Sequence, residues 1–415
     1  MKKIGFCFFL CYSFGLVWAT PACVGAIEGT YKPLFELIGA IELVSRVESA
    51  DLAVAERKLQ TAKAGVDRWP LSVEIEAKPY RQSSVLQSQS GQTQTASVSV
   101  DLVESFRGEG RAARVLQKEQ AQLNLAKQQQ RLLAQTLRSL VELAALEDLS
   151  DLLSYRVDLL ARRVEYFLIR QEMGDFVSGE LLDTEARLLE ARNKLDAIRI
   201  RQTSELLKLA SGYASSVNVG SLALPSIRSL PTDIDLVCDE SSSFPVREKR
   251  MLREIAEQKV VFFRQKQGPQ IGFFSNWVNE KVDTFPSQKT TTSGVRLSYT
   301  LWAGGAKQAE EVELLNGVHD AEALLALHSQ IEFDRMRNWQ SSKTVFLSAI
   351  RANQIKIAAL QQQVVELREK SSSKTGVYVV SSDVQVQLSS LIESDIGVRK
   401  DFAIGNINNL ELYSR

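Results

Sequence analysis

Few residues in this chain could do chemistry, and the best placed are carboxylates rather than nucleophiles. Glu180, Asp183 and Asp383 fall near the starts of two helix-like segments, each just after a glycine, Gly174 or Gly376. A carboxylate there is stabilised by the positive end of the helix dipole. Repeated around a symmetry axis, the same groups would also sum to a local negative field. Both roles can hold together. Ser178, and either Ser381 or Ser382, are of the type that caps a helix start. His319 and His328 are the only two histidines and stand nine apart, not on one helical face at the i, i+4 spacing that metal ligands use. No glycine-rich phosphate loop and no nucleophile elbow occurs. The residues therefore predict no enzyme activity, no cofactor and no bound metal.

The elements that must position these carboxylates belong to an exported chain. Of its 415 residues, Lys+Arg and Asp+Glu number 50 each, so the formal net charge is zero. A nucleic-acid binder would carry a basic excess, and no nucleic-acid partner is expected. Residues 1–26 read as a signal peptide: Lys2 and Lys3, an apolar run from Ile4 to Trp18, then small residues at Val24-Gly25-Ala26. Thr20-Pro21-Ala22 is a poor lead-in to lipidation at Cys23. Cys7, Cys11 and Cys23 leave with the leader, and Cys238 alone can form no internal disulfide. Beyond the leader no run of ~18 apolar residues occurs, so the mature chain could enter a bilayer only as a β-barrel.

The mature chain reads as one unit written twice: residues 27–212, a linker over 213–245, and residues 246–415. Each unit runs helix, strand, polar loop, strand, very long helix, short break, return helix. In the first, Trp69-Pro70 ends a helix that starts near Leu34. From Leu71 to Lys78 apolar and polar residues alternate strictly, and Ala96, Val98, Val100 and Leu102 alternate with Ser97, Ser99 and Asp101. The spacing predicts a hairpin over about 71–103, with Tyr80–Thr93 as its polar loop. The second unit predicts a hairpin over about 270–301, aromatic at Phe273, Phe274 and Trp277, with a loop at Asn279–Ser293. Trp69, Trp277, Tyr299 and Trp302 suit either a membrane-interface girdle or a packed core.

A helix with almost no breakers follows each hairpin, over about 108–173 and 306–370. At ~1.5 Å per residue each spans roughly 95 Å, which requires lengthwise bundling. Leu149, Leu153, Val157, Leu160, Val164 and Phe167 form a seam on the first. Phe346, Ile350, Asn353, Ile357, Leu360, Val364 and Leu367 form one on the second. Return helices are expected over about 178–210 and 381–412. Their seams are Leu181, Leu188, Ala191, Leu195, Ile198 and Val384, Leu388, Leu391, Asp395, Val398, Phe402. Asn353 and Asp395 interrupt apolar seams, either to fix helix register or because they face water. The fold class is thus mainly α with a β-barrel contribution, built from a duplicated hairpin plus antiparallel coiled-coil helices. Each chain supplies only four strands of about nine residues, too few to close a barrel, so copies must pool them.

Several motifs resemble the TolC-like outer-membrane efflux and type I secretion channel family. They are Gly174-x-x-x-Ser178-x-Glu180-Leu181-Leu182, its second copy from Gly376-Val377 to Ser382-Asp383-Val384, and Val295 to Gly305, where a strand ends in an aromatic and glycines. The resemblance covers nearly the whole mature chain. It implies a homotrimer with a twelve-stranded barrel in outer-membrane lipid, a periplasmic helical tunnel, and no catalysis. It also implies a periplasmic adaptor and an inner-membrane transporter as partners, with the turns at Gly174 and Gly376 facing the adaptor and Glu180, Asp183 and Asp383 at the tunnel mouth. Val386 stands where a further acidic residue would be expected. The competing reading is a periplasmic adaptor or coiled-coil scaffold without a pore.

Overall fold

The structure, a computed structural model, describes residues 32–34, 50–66, 71–83, 88–101, 109–174, 178–212, 224–232, 240–266, 270–282, 285–298, 305–370 and 376–412. The elements are α1 (Ala50–Val66), β1 (Leu71–Ser83), β2 (Ser88–Asp101), α2 (Glu109–Glu172), α3 (Ser178–Gly212), α4 (Phe244–Lys266), β3 (Gln270–Val282), β4 (Phe285–Ser298), α5 (Ala306–Lys370) and α6 (Gly376–Leu410). Short 3-10 turns lie at Ile227–Ser229 and Glu240–Ser242. The two copies match in size: strands of 13 and 14 residues in each hairpin, long helices of 64 and 65, return helices of 35. Agreement this close makes the duplication structural rather than a chance of composition. The signal peptide, Trp69, Tyr299 and Trp302, and the helix expected between residues 35 and 49, lie outside the described residues.

The strands form one antiparallel sheet in the order β1-β2-β3-β4. Within the hairpins Leu71 pairs with Val100 and Ile271 with Leu297, and between them Val100 pairs with Phe273. The strands are longer than the nine residues expected. Tyr80–Ser83 and Ser88–Thr93, predicted as loop, continue the ladder, as do Asn279–Val282 and Phe285–Ser293. Pattern reading misses such stretches because both of their faces are polar, while the backbone hydrogen bonds that hold them need no apolar side chains. Pro286 sits in β4 beside the register shift between Glu280 and Val282. An edge strand next to an irregular pairing is where a residue without an N–H costs least.

The chain divides into two compact units. The first contains Ala126–Phe244 and Ile331–Arg415; the second contains Ala53–Leu125 and Pro245–Gln330. In the first, α2 is buried on nearly every side between Leu133 and Leu146, against Leu209 of α3, Met336 of α5, and Ile396, Ala403 and Ile407 of α6. A helix apolar around its circumference must be surrounded, and here it is. The linker joins this core through Ile227 and Leu230. Asp148 of α2 accepts from Ser226 Oγ at 2.7 Å and from the Ile227 N–H at 2.9 Å. Its neighbour Glu147, on the exposed side of α2, has its carboxyl pKa raised, first by partial desolvation and then by Asp151 and Asp148. Pro245, read as linker, lies in the first turn of α4, where the missing N–H costs no helical bond.

Three polar side chains of α2 pin the end of α6. Gln130 Nε2 donates to the Leu410 carbonyl at 2.9 Å, Arg138 Nε donates to Asn408 Oδ1 at 2.8 Å, and Arg138 also pairs with Glu411. Glu142 accepts Lys400 at 3.4 Å. On the other side of α6, Trp339 stacks on Phe402 with centroids 6.1 Å apart, and Phe346 meets Phe402 edge-on. Gly405 makes this approach possible, since a Cβ there would stand 2.2 Å from the Trp339 ring. Gly397 on the same helix faces open space. Gly405→Ala is expected to destabilise the fold by about 1–3 kcal/mol through overpacking. Gly397→Ala is expected to stabilise it by about 0.5–1 kcal/mol through helix propensity. Denaturant unfolding of the two variants side by side checks both signs.

Candidate functional site

Helices α2, α3 and α6 meet over a stretch where apolar and charged contacts alternate. Leu160 of α2 packs on Leu188 and Ala191 of α3, with Val386 of α6 against them. About two turns further on, Phe167 packs on Leu181, with Val379 of α6 beside it. These positions confirm the seams read on α2 and α3. On α5, Ile350, Ile357 and Val364 are likewise buried.

The seam predicted on α6 is wrong in detail. Asp395 and Phe402 of that seam are buried, together with Ser381, Ser382, Ser389, Ile396, Arg399, Ala403, Asn406, Ile407, Asn409 and Leu410, while Val384, Leu388, Leu391 and Val398 are only half-buried. The inward stripe of α6 is polar over much of its length, so a search for apolar periodicity settles on the wrong face. The reason lies on α2, where Arg156 and Arg163 are 7% and 8% exposed. Arg156 Nε donates to Ser389 Oγ at 2.8 Å, and its Nη2 lies 2.9 Å from a Glu393 carboxylate oxygen. That second contact is an ion pair at an angle too poor for a hydrogen bond, since Nη2 has no aligned acceptor. Arg163 pairs with Asp383 through Nη1 and stands over the Phe167 ring, 5.5 Å from its centroid. Tyr155 reaches Gln385 at 3.4 Å. The two arginines are seven residues apart and therefore share a face.

One helical step beyond, Asp395 and Arg399 form a buried pair at 2.8 Å, and Arg399 Nη1 donates to the Arg228 carbonyl at 3.3 Å. Asp395 is 1% exposed, and its Oδ1 has no hydrogen-bond partner. Within this chain Asp395 does not face water. Its partner Arg399 joins α6 to the linker.

The sequence-predicted carboxylates separate accordingly. Asp383 is not in the first turn of its helix: α6 begins at Gly376, five residues earlier than expected, so the helix dipole does not account for it. Ser381 and Ser382 are then interior residues, and Ser382 Oγ donates back to the Val379 carbonyl at 2.9 Å. Val377, Val379 and Val380, β-branched residues of weak helix propensity, fall before the expected start of this helix. Val379 is held helical by its contact with the Phe167–Leu181 cluster, which outweighs a weak propensity. Glu180 does lie in the first turn of α3, which begins at Ser178 itself. Asp183 pairs with Arg187 of its own helix at 2.9 Å, in solvent. Among the described residues these carboxylates form no grouping that could hold a metal ion. Gly174 closes α2 with φ +94°, and its N–H donates to the Gln171 carbonyl. Gly376 is the first residue of α6, and the segment before it lies outside the described residues. Sequence reasoning missed Arg156 and Arg163 altogether. The available signal was their heptad spacing on the flank of the α2 seam.

The sheet has one oily face that, on β3 and β4, nothing among the described residues covers. Ile271, Phe273 and Trp277 of β3 and Val295 and Leu297 of β4 are all exposed. Among the described residues no helix is long and apolar enough to cross a membrane.

No protein-family model matches the chain, and no curated protein sequence does. Solved structures do. The outer membrane protein VceC of Vibrio cholerae has a TM-score of 0.69 at 13% identity, over 95% of this chain and 99% of its own. CusC, described in relation to folding and transmembrane channel formation, has a TM-score of 0.70 at 12% identity, over 96% and 94%. The open state of the Neisseria gonorrhoeae MtrE outer membrane channel has 0.68 at 13%, over 94% and 88%. The fold is the one these TolC-like outer-membrane channels share.

Removing Asp383 leaves a buried guanidinium without its partner. Asp383→Ala is expected to cost about 1–2 kcal/mol. Asp383→Ala combined with Arg163→Leu is expected to cost less than the sum of the two single changes. A double-mutant cycle in urea measures this coupling, and additive costs would mean the two side chains act independently.

Proposed function

We propose that this chain is the channel subunit of an export system, placed in the outer membrane with a large periplasmic part. The observation that carries this reading is the four-stranded sheet with a bare apolar face and two unpaired edges, β1 and β4. In hydrocarbon each unpaired backbone group costs several kcal/mol, so an open sheet cannot stay there. Three copies would pool twelve strands into a closed barrel. A second feature agrees: Leu182, Leu189, Ile200 and Leu207 of α3 are exposed at steps of seven, eleven and seven, a stripe suited to a helix of another copy.

The subunit would be a passive conduit. Energy would come from an inner-membrane transporter, and a periplasmic adaptor would dock at the turns near Gly174 and Gly376. The setting would be a tripartite efflux pump or a type I secretion system. Here Arg163–Asp383 and Arg156–Glu393 act as catches that hold α6 against α2, and opening requires releasing them. Glu180 and Asp183, exposed on α3, remain available at the tunnel mouth.

Membrane fractionation tests the placement. A trimer in the outer membrane whose gel mobility changes on boiling is the expected result. A soluble periplasmic monomer would instead favour the adaptor or scaffold reading. Gating has its own readout. Asp383→Ala is expected to raise single-channel conductance or open time in planar bilayers and to sensitise cells to large antibiotics. Identical traces from wild type and variant would remove Asp383 from the gate.

A further inference from the structure

The face of the sheet opposite the oily one holds an unusual arrangement. Phe274 of β3 lies there among polar neighbours: Asn276 on its own strand, Thr292 on β4. Its register partner is Gly294, and a Cβ at that position would stand 3.3 Å from the ring edge. The absent side chain leaves the ring room to lie across β4. The Arg296 guanidinium stands over that ring, 5.1 Å from its centroid. A lone arginine on a wet sheet would sample many rotamers. The quadrupole of the ring gives this one a preferred seat. An aromatic residue on the wet face thus has a physical role, which is to hold a positive charge in one place.

We infer that Arg296, seated on Phe274, is a fixed cation of the pore wall and favours the passage of anionic permeants. This rests on the channel reading above, in which the face opposite the oily one lines the lumen. Three copies would place three such guanidiniums around one axis. Register puts Asp101 opposite Gly272, and Glu74, Glu76 and Lys78 opposite Ser97, Thr95 and Thr93, all at positions of the same parity as Phe274, and Glu280 lies further along β3. Arg296 therefore adds positive charge to a face that holds four acidic positions and one other basic position, and its removal shifts that balance further towards acid.

Lys289 supplies the control. It lies on β4 in the same row set as Val295 and Leu297, the oily face, so it carries the same charge on the other side of the sheet. The test uses the full-length protein in planar bilayers, with reversal potentials measured across a KCl gradient. Ionic strength is kept at or below ~0.1 M, where the screening length is about 10 Å. Arg296→Gln is expected to raise the ratio of potassium to chloride permeability by about twofold or more. Arg296→Lys keeps the wild-type sign, and Lys289→Gln leaves the ratio unchanged. An unchanged ratio in Arg296→Gln overturns the inference, and so does an equal shift in Lys289→Gln, because the effect would then not depend on the face. Absence of any conductance from the wild-type protein would overturn the channel reading itself, an outcome distinct from conductance with unaltered selectivity.

Discussion

Hydrogen-bond closure of the sheet is the constraint on which the rest depends. Two hairpins give four paired strands and leave two bare edges, while one face of the sheet is oily and uncovered. In water such an edge invites pairing with any other chain, and in lipid it is intolerable. On the channel proposal both problems are met by pairing with further copies of the same ribbon. The duplication within the chain fits this need, because each unit contributes one hairpin of the same length and each hairpin leads into a long helix.

The helices meet a different constraint. Long helices bundled lengthwise through apolar seams alone would be stable but indifferent to sliding. Here the α2–α6 contact is written partly in charge. Arg156 and Arg163 are buried among leucines and phenylalanine, and their partners Ser389, Glu393 and Asp383 stand at matched heights on α6. A buried guanidinium without a partner is expensive, so the pairing fixes register strongly while adding little net stability. The same property suits the proposed release of α6 from α2: when charged partners separate into water, hydration compensates each of them. An apolar seam offers no such exchange. The Asp395–Arg399 pair plays a more static part, since it reaches the linker carbonyl at Arg228 and sits where the core is densest.

Much of the fold was legible residue by residue. The strict alternation from Leu71 to Lys78 names a strand and both of its faces. The breaker-free stretches give the two long helices to within a residue or so of Glu109–Glu172 and Ala306–Lys370. Leu153, Leu160 and Phe167 were read as a seam and are buried. The polar ends of the hairpins, the start of α6 and its inward face were not legible. Each is polar or β-branched where the sequence signal relies on apolar period, and each is fixed by partners far away in the chain.

The division between what sequence and structure decide follows from range. The sequence by itself determined the elements whose cause is local: period-two strands, long helices, the glycine turn at Gly174, and the doubling of the whole pattern. Only the tertiary structure decided that β2 pairs with β3, so that the two hairpins form one sheet. It also decided that Asp383 answers to Arg163 rather than to a helix dipole, and that Phe274 seats Arg296 over a glycine. These contacts join residues of no fixed spacing. A carboxylate or guanidinium carries no mark in the sequence of which partner it will meet, because that choice is made by packing after the helices and strands exist.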